Sequence, residues 1–134
     1  MVEDLGANVT GSITKLSQGS VVDTVAHLLE VIAGKGIKLF NVIDQSAEAR
    51  AAGLELRDTT LVIFGSPAAG TPIMVASPLA ALDLPLKVLV WDDAGQTKVC
   101  YQAPAALAAR YRLSADLVAP LGGIDALTDA ITAP

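Results

Sequence analysis

The residues best suited to bind a small molecule lie between Gly65 and Thr71. They follow a run of β-branched and aromatic residues that predicts a buried strand. Thr71-Pro72 then predicts the start of a helix, because threonine caps helices and proline needs no amide partner there. Unpaired amide hydrogens at a helix N-terminus attract carboxylates and phosphates. With Gly65 and Gly70 in a tight turn and hydroxyl groups on Ser66 and Thr71, the segment predicts a site for a small anionic or polar ligand.

The same segment has a simpler interpretation, in which Thr71 only caps a helix and the glycines only form a turn. Caps of this kind are routine in folds that bind nothing at that place. The segment also lacks lysine, and it does not end in the Gly-Lys-Ser/Thr sequence of a phosphate-binding loop. Both interpretations stay open at the level of the sequence.

Three charged residues could support acid–base chemistry. Asp44 and Asp83 stand at predicted strand or loop ends, where catalytic carboxylates are often placed. Lys87 interrupts an apolar strand, and a buried lysine would need a partner or a shifted pKa. An enzyme that uses these three residues is therefore one alternative function. The structural interpretation is that Asp44 caps a helix, and that Lys87 lies on an edge strand or extends its amine to solvent.

The one histidine and the one cysteine do not indicate a metal site or a nucleophilic couple. His27 stands between Asp23 and Glu30 at helical spacing, on the polar face of a predicted helix, so we expect it to be solvated. Cys100 alternates with Tyr101 in a predicted strand and is expected to pack as a small apolar residue. We predict no metal site and no cofactor.

Two further pairs of side chains could contact a ligand. Trp91 and Tyr101 are predicted to face each other across a hairpin, where they would either line a pocket or pack as a cross-strand pair. Arg110 and Arg112 follow an alanine-rich helix and could bind an anion as two forked donors. Basic residues also stabilise the last turn of a helix through its dipole, and we favour that role here.

Composition limits the class of protein. Hydrophobic residues make up 52% of the 134 residues and charged residues 17%, and this balance excludes a disordered chain. The net charge of −5 argues against a nucleic-acid partner. No apolar stretch is long enough to span a membrane, so we expect a cytoplasmic protein. The apolar fraction exceeds what so small a core hides, which predicts a homodimer and makes an interaction module without a small ligand the second alternative function.

Strands and short helices are predicted to alternate along one domain spanning residues 1–134, with residues 1–7 poorly ordered or processed. The predicted strands are Val9–Leu16, Ile37–Ile43, Thr59–Gly65, Leu84–Asp92 and Thr97–Gln102. Helices are predicted from the cap Ser20 to Gly34, over Gln45–Ala52, from Thr71 to Ser77, over Pro104–Tyr111 and over Ile124–Ile131.

Two local patterns refine this arrangement. Apolar residues on both faces of Ile37–Ile43 predict a central strand. The turn Asp92–Gln96 contains a glycine and predicts an antiparallel hairpin. The predicted fold class is α+β: a two-layer sandwich with a mixed, mostly antiparallel sheet of about five strands and helices packed on one face.

The middle of the chain carries a longer pattern. The segment Ile63–Met74 reads Ile-Phe-Gly-Ser-Pro-Ala-Ala-Gly-Thr-Pro-Ile-Met. With the later segments Ser77-Pro78 and Leu82–Trp91, it resembles the bacterial domain-of-unknown-function family 302. Shorter matches at Ile43-Asp44, Gly53–Arg57 and Cys100–Gln102 extend the likeness from about Ile13 to Ile131. The resemblance implies an α+β domain that often occurs as a dimer, and it supplies no activity.

This chain departs from the family's pattern at several positions. The family usually carries asparagine at the positions of Ser66 and Ser77, and often lysine at that of Ala68. Its members commonly have histidine where Gln45 and Tyr111 stand here. The resemblance therefore implies no metal or acid–base role for those two positions in this protein.

Overall fold

The computed structural model describes residues 11–133, and its centre is a five-stranded sheet in which every neighbouring pair of strands is antiparallel. The strands are β1 (Ser12–Ser17), β2 (Lys38–Asp44), β3 (Thr59–Gly65), β4 (Leu86–Asp93) and β5 (Gln96–Gln102). Their order across the sheet is β1-β5-β4-β3-β2. The predicted α+β fold class is confirmed, with a sheet that is antiparallel throughout. The start of the predicted strand Val9–Leu16, and the predicted segment 1–7, lie outside the described residues.

Six helices accompany the described strands. They are α1 (Val21–Gly34), α2 (Gln45–Ala51), α3 (Pro67–Ala76), α4 (Pro104–Tyr111), α5 (Ala115–Val118) and α6 (Gly123–Thr132), with 3-10 turns at Pro78–Leu82 and Ala119–Gly122. The predicted caps are confirmed, because Ser20 accepts the amide hydrogen of Asp23 and Asp44 accepts that of Ala47. The sequence pattern does not predict α5 or the 3-10 turns, since segments this short show no apolar period.

One face of the sheet packs against α1 and α6 and forms the main core. Alternate strand residues such as Val62, Val88 and Val99 are fully buried there, together with Leu28 of α1 and Leu127 of α6. Burial of apolar surface stabilises the fold by roughly 25 cal/mol per Å². This face therefore supplies most of the stability of the domain.

A second apolar cluster forms where α3, α4 and α5 meet. Its buried members are Ile73, Ala80, Leu107, Val118 and Leu121. Leu86, the first residue of β4, packs against both the main core and this cluster. The second cluster thus holds α3 against the end of the sheet at which β3 ends and β4 begins.

The other face of the sheet, which we call the open face, has half-buried or exposed side chains along the described strands. Its central row takes one residue from each strand in register: Ile43, Leu61, Leu89, Cys100 and Thr14. Leu61 and Leu89 lie at the centre of the sheet and are still only half-buried. This face therefore remains accessible to solvent.

The predicted central position of the strand Ile37–Ile43 is wrong, because β2 lies at an edge of the sheet. Its side chains Leu39, Phe40 and Val42 are partly exposed. The register shifts between Leu39 and Asn41, and the ring of Phe40 lies close to Gly65. The second apolar face of this strand thus reflects a surface recess and not the interior of the sheet.

The edge-strand explanation for Lys87 is also wrong. β4 lies between β3 and β5, so Lys87 stands on an interior strand. Its side chain is half-buried on the open face, and its amine donates to the carbonyl oxygen of Pro85 at 3.0 Å. An interior lysine is tolerated here because one side of the sheet is open to water.

The helix predicted to start at Thr71-Pro72 begins earlier, at Pro67. Ser66 is the cap, and its hydroxyl oxygen accepts the amide hydrogen of Ala69 at 3.3 Å. Pro67 occupies the first position of the helix, which suits proline equally well, and Thr71 and Pro72 lie inside it. The sequence holds two cap-plus-proline signals in succession, and the first of them sets the start.

The predicted hairpin between β4 and β5 is confirmed, with its turn at Ala94 and Gly95. Both residues have positive φ, 52° and 98°. A tight hairpin turn of this kind requires positive φ at both of its central positions. Asp92 accepts the amide hydrogen of Gly95 at 3.0 Å. This turn fixes the register of the two strands.

Candidate functional site

Two cavities meet at Gly65 and Ser66, where β3 ends and α3 begins. The larger has a volume of about 290 Å³ and the smaller about 190 Å³. Both are lined by Gly65, Ser66, Leu86 and Leu121, so we treat them as adjacent parts of one recess, the Ser66 recess. Leu86 and Leu121 hold it open, because each is fixed by the apolar clusters behind it.

The walls of the Ser66 recess are mostly apolar. The larger cavity is lined chiefly by Phe40, Pro67, Met74, Leu84 and Pro85. Its polar side chains are Ser66 and Thr71, whereas the smaller cavity has Lys35 as its charged lining residue. A molecule with an apolar body and one polar or anionic end matches this distribution.

Gly70 lies inside α3 and borders the larger cavity, so the predicted tight turn at Gly65 and Gly70 is wrong. Neither glycine is among the described residues with positive φ. A Cβ atom on Gly70 would lie 3.8 Å from Met74 Cε and 3.9 Å from Leu84 Cδ1. The missing side chain therefore provides space for the cavity and serves no turn.

The bare amide hydrogens predicted at residue 71 are also not found, because the helix starts earlier. The amides of Ala69 and Gly70 donate to the carbonyl oxygen of Ser66 at 3.0 and 2.9 Å. Of the polar groups predicted for this site, the hydroxyl groups of Ser66 and Thr71 do line the larger cavity.

Asp83 and Lys87 line a third, smaller cavity of about 120 Å³ on the other side of Leu86. Asp83 accepts a hydrogen bond from Tyr111 Oη at 2.5 Å and lies 3.5 Å from Arg110 Nη1. The hydrogen bond to Asp83 raises the pKa of the Tyr111 hydroxyl above its usual value. These contacts tie α4 to the 3-10 turn before β4, so Arg110 has a structural partner.

Asp44 is remote from that cavity. It pairs with Thr60 at one end of the sheet, while Asp83 precedes the start of β4, where Leu86 pairs with Phe64 at the other end. Hydrogen bonds from Ser46 Oγ at 2.6 Å and from the amide of Ala47 lower the pKa of Asp44, because they stabilise its charged form. The structure brings Asp83 and Lys87 together and leaves Asp44 as a helix cap.

Trp91 and Tyr101 lie on opposite faces of the sheet, so the prediction that they face each other is wrong. The two-residue turn places Trp91 opposite Lys98 on the open face. Its indole Nε1 donates to Cys100 Sγ at 3.4 Å, and that sulfur also lies 3.3 Å from Thr14 Oγ1. Cys100 is half-buried among these neighbours, which fits its predicted role as a small packing residue.

The sequence does not predict the polar cluster that surrounds Tyr101. The hydroxyl of Tyr101 donates to the carboxylate of Asp125. Lys15 Nζ lies 2.8 Å from Asp129 Oδ1, donates to Thr128 Oγ1 at 2.7 Å and stands over the Tyr101 ring. The signal in the sequence is Lys15 itself, which interrupts the inward-facing positions of β1.

The Tyr101 cluster shifts two pKa values in the same direction. Burial is the main cause that raises the pKa of Tyr101, and the hydrogen bond to Asp125 adds to it. Burial lowers the pKa of Lys15, but its bonds to Asp129 and Tyr101 outweigh burial and raise that pKa. Both groups therefore keep their protons at neutral pH, and the cluster joins β1 and β5 to α6 as a structural feature.

The remaining predicted residues lie at the surface. His27 is exposed on α1, as predicted, and Arg112 is exposed at the end of α4. Across residues 11–133, no three histidine, cysteine or acidic side chains are grouped so that they could hold a metal ion. In that same part of the chain, no helix has the length and apolar character needed to cross a membrane.

The fold and the recess define a class: a two-layer α+β domain with an antiparallel sheet and an apolar recess at the strand-to-helix junction. Residues 13–131 match the model of the family described as domain of unknown function DUF302. The chain belongs to the DUF302 family, which confirms the resemblance noted in the sequence.

A solved structure agrees with this assignment, and two proteins of another name are similar to part of the chain. The crystal structure of an uncharacterized conserved protein DUF302 from Bacillus stearothermophilus has the same fold, with a TM-score of 0.75, 17% identity, and coverage of 92% of this chain and 97% of that chain. The proteins named fluoride-specific ion channel FluC 1 of Brucella suis and Brucella abortus are each 36% identical over 105 residues, 78% of this chain. This chain spans about two fifths of the length of those proteins, 41% and 39%.

Proposed function

We propose that this domain is a homodimeric binding protein for a small molecule with an apolar body and a polar or anionic end. The observation that carries the proposal is the Ser66 recess, whose larger cavity has a volume of about 290 Å³. That volume is close to the lower end of the range for small-molecule sites, about 300–1,000 Å³. Apolar walls with a few polar groups are typical of such sites, because the walls supply affinity and the polar groups fix orientation. The polar end of the ligand would contact Ser66, Thr71 or Lys35.

Replacing Gly70 by leucine tests this site. The new side chain would extend toward Met74 and Leu84 and occupy the larger cavity. Leucine favours helices more than glycine by somewhat less than about 1 kcal/mol, so the fold should be kept. We expect a thermal-shift panel of straight-chain carboxylates, from butanoate to decanoate, to stabilise the parent protein and to leave Gly70→Leu unshifted.

Gly34→Leu is the matched control, because nothing lies within 4 Å of a Cβ atom at the end of α1. It should respond to the carboxylates as the parent protein does. Equal responses of Gly70→Leu and the parent protein would contradict the proposed site. So would a panel in which inorganic phosphate stabilises the protein and no carboxylate does.

The homodimer is supported by a neutral surface beside the recess. The segment from Ser66 to Leu82 has no charged residue. Three of its large apolar side chains are strongly exposed: Val75 at 77%, Leu79 at 68% and Leu82 at 75%. Exposed apolar surface of this kind marks interfaces in soluble proteins. A symmetric contact between two copies would cover it without placing like charges together.

Leu79→Glu tests the dimer. A carboxylate at the centre of the neutral surface would have to be buried in both copies at once, which is costly without a partner. We expect analytical ultracentrifugation to show dimers for the parent protein and monomers for this variant. Leu54→Glu, at a similarly exposed leucine outside the segment, should remain dimeric. A parent protein that stays monomeric at high concentration would refute the dimer and leave the ligand proposal standing.

A further inference from the structure

The open face carries a mostly apolar row of side chains, with charged residues on both sides of it. The row Ile43, Leu61, Leu89, Cys100 and Thr14 crosses all five strands. With strands about 4.8 Å apart, it is roughly 19 Å long, which is the length of about 13 helical residues at ~1.5 Å each. One amphipathic helix laid across the strands would cover this row.

Basic side chains flank the row on both sides. Lys87 pairs with Ile63 on one side, and Lys38 pairs with Gly65 at the end of the sheet beyond it. On the other side Lys98 pairs with Trp91, and Arg57 stands over the Trp91 ring at 5.7 Å. The acidic side chain at an open-face position of the described strands is Asp93, which contacts Lys98 at 2.7 Å. In a chain of net charge −5, the described strands thus place three lysines and one aspartate on this face, and the loop before β3, which adds Arg57, also carries Glu55 and Asp58.

We infer that the open face binds an acidic amphipathic helix of another protein. Its apolar stripe would cover Leu61 and Leu89, and acidic residues on its two flanks would meet Lys87 on one side and Arg57 on the other. Such a helix would cover the open face of the sheet in the same way that α1 and α6 cover its core face. Charge complementarity is what selects this partner.

Three other occupants fit the open face less well. A second copy would bring the same basic side chains against each other. A lipid surface would need apolar side chains that project from the protein, but Leu61, Ile63 and Leu89 are half-buried between their neighbours. Single-stranded nucleic acid would need an aromatic ring free for stacking, whereas Trp91 already lies against Arg57 and Lys98.

Trp91 makes the test direct, because it is the one tryptophan of the chain and it borders the row. The probe is a synthetic helical peptide with a leucine stripe flanked by glutamates, and its partner peptide carries lysines in place of the glutamates. We expect the acidic peptide to change the Trp91 emission in a saturable way, and the basic peptide to bind at least about tenfold more weakly. Raising the salt concentration should weaken the binding of the acidic peptide to the protein, because salt screens the attraction between exposed charges.

Lys87→Glu should weaken binding of the acidic peptide by about tenfold or more, and Lys87→Met by less, since methionine keeps most of the apolar stem. Arg112→Glu makes the same change of charge at an exposed position at the end of α4 and should bind like the parent protein. Circular dichroism of each variant checks that the fold is kept. Equal affinity for the two peptides, or tighter binding of anionic vesicles or of single-stranded oligonucleotide, would overturn the inference.

Discussion

Phe64→Ala should cost about 3–5 kcal/mol in free energy of unfolding, the usual range for removing a buried aromatic side chain. Phe64 lies on β3 against the helices and is 2% exposed. It also forms part of the wall between the main core and the smaller cavity of the Ser66 recess. The total free energy of unfolding of a domain is about 5–15 kcal/mol, so this loss should appear as a large fall in the urea concentration at the midpoint of unfolding.

Phe40→Ala is the matched control. The same atoms are removed, but Phe40 is 44% exposed on the edge strand β2. We expect a loss of less than about 1 kcal/mol, because exposed side chains contribute little to folding. Equal losses at the two positions would show that the recess side of β2 is as tightly packed as the core, which contradicts the burial seen here.

Gly11→Ala should also be strongly destabilising, for two separate reasons. Gly11 has a positive φ of 83°. That region costs a residue with a side chain roughly 1–2 kcal/mol. The added Cβ atom would lie 2.6 Å from Ala106 Cβ, so α4 would have to move. Overpacking of this kind costs about 1–3 kcal/mol more. Urea denaturation should therefore show a loss of about 2–5 kcal/mol, the rough total of these two ranges.

Gly53→Ala separates the two causes. Gly53 has a positive φ of 79°, but nothing lies within 4 Å of its Cβ position, so only the backbone cost applies. We expect it to lose clearly less stability than Gly11→Ala. Adding Ala106→Gly to Gly11→Ala should recover part of the loss, since it removes the atom in conflict. No recovery in the double variant would mean that the backbone conformation alone sets the cost.

Most of the fold can be predicted from the sequence, because its local signals agree with one another. The caps at Ser20 and Asp44, the hairpin turn and the end of α3 before Pro78 all act over a few residues, and all appear where they are predicted. The order of strands could not be predicted from such signals. The two apolar faces of Ile37–Ile43 predict a central strand, but β2 lies at the edge of the sheet. Its second apolar face lines a recess whose other walls come from distant parts of the chain.

The structure places the four residues of the predicted turn around one cavity, but it does not show the exposed amides on which the predicted ligand site depended. Gly65, Ser66, Gly70 and Thr71 do line the larger cavity. The expectation of exposed amide hydrogens failed because Ser66-Pro67 starts the helix ahead of Thr71-Pro72, and the sequence alone does not rank the two signals. The apolar walls come from Met74, Leu84 and Leu121, which are brought together only by tertiary packing.

The Tyr101 cluster shows a different limit. Tyr101, Lys15 and Asp125 come from three distant elements, and only Lys15 is out of place in its strand. Residues that form hydrogen bonds or ion pairs with distant parts of the chain cannot be recognised from the local sequence pattern. Asp83 and Tyr111 are a second case, since their hydrogen bond joins positions 28 apart.

The position of β1 has a consequence for how the protein is made. Strands β2, β3 and β4 each pair with the next strand along the chain, so β2 to β5 can assemble as they leave the ribosome. β1 must instead wait for β5: Thr14 meets Cys100, 86 positions later. Among the described strands, β1 comes first in the sequence but pairs last, because closing that long loop makes its docking a late step of sheet assembly.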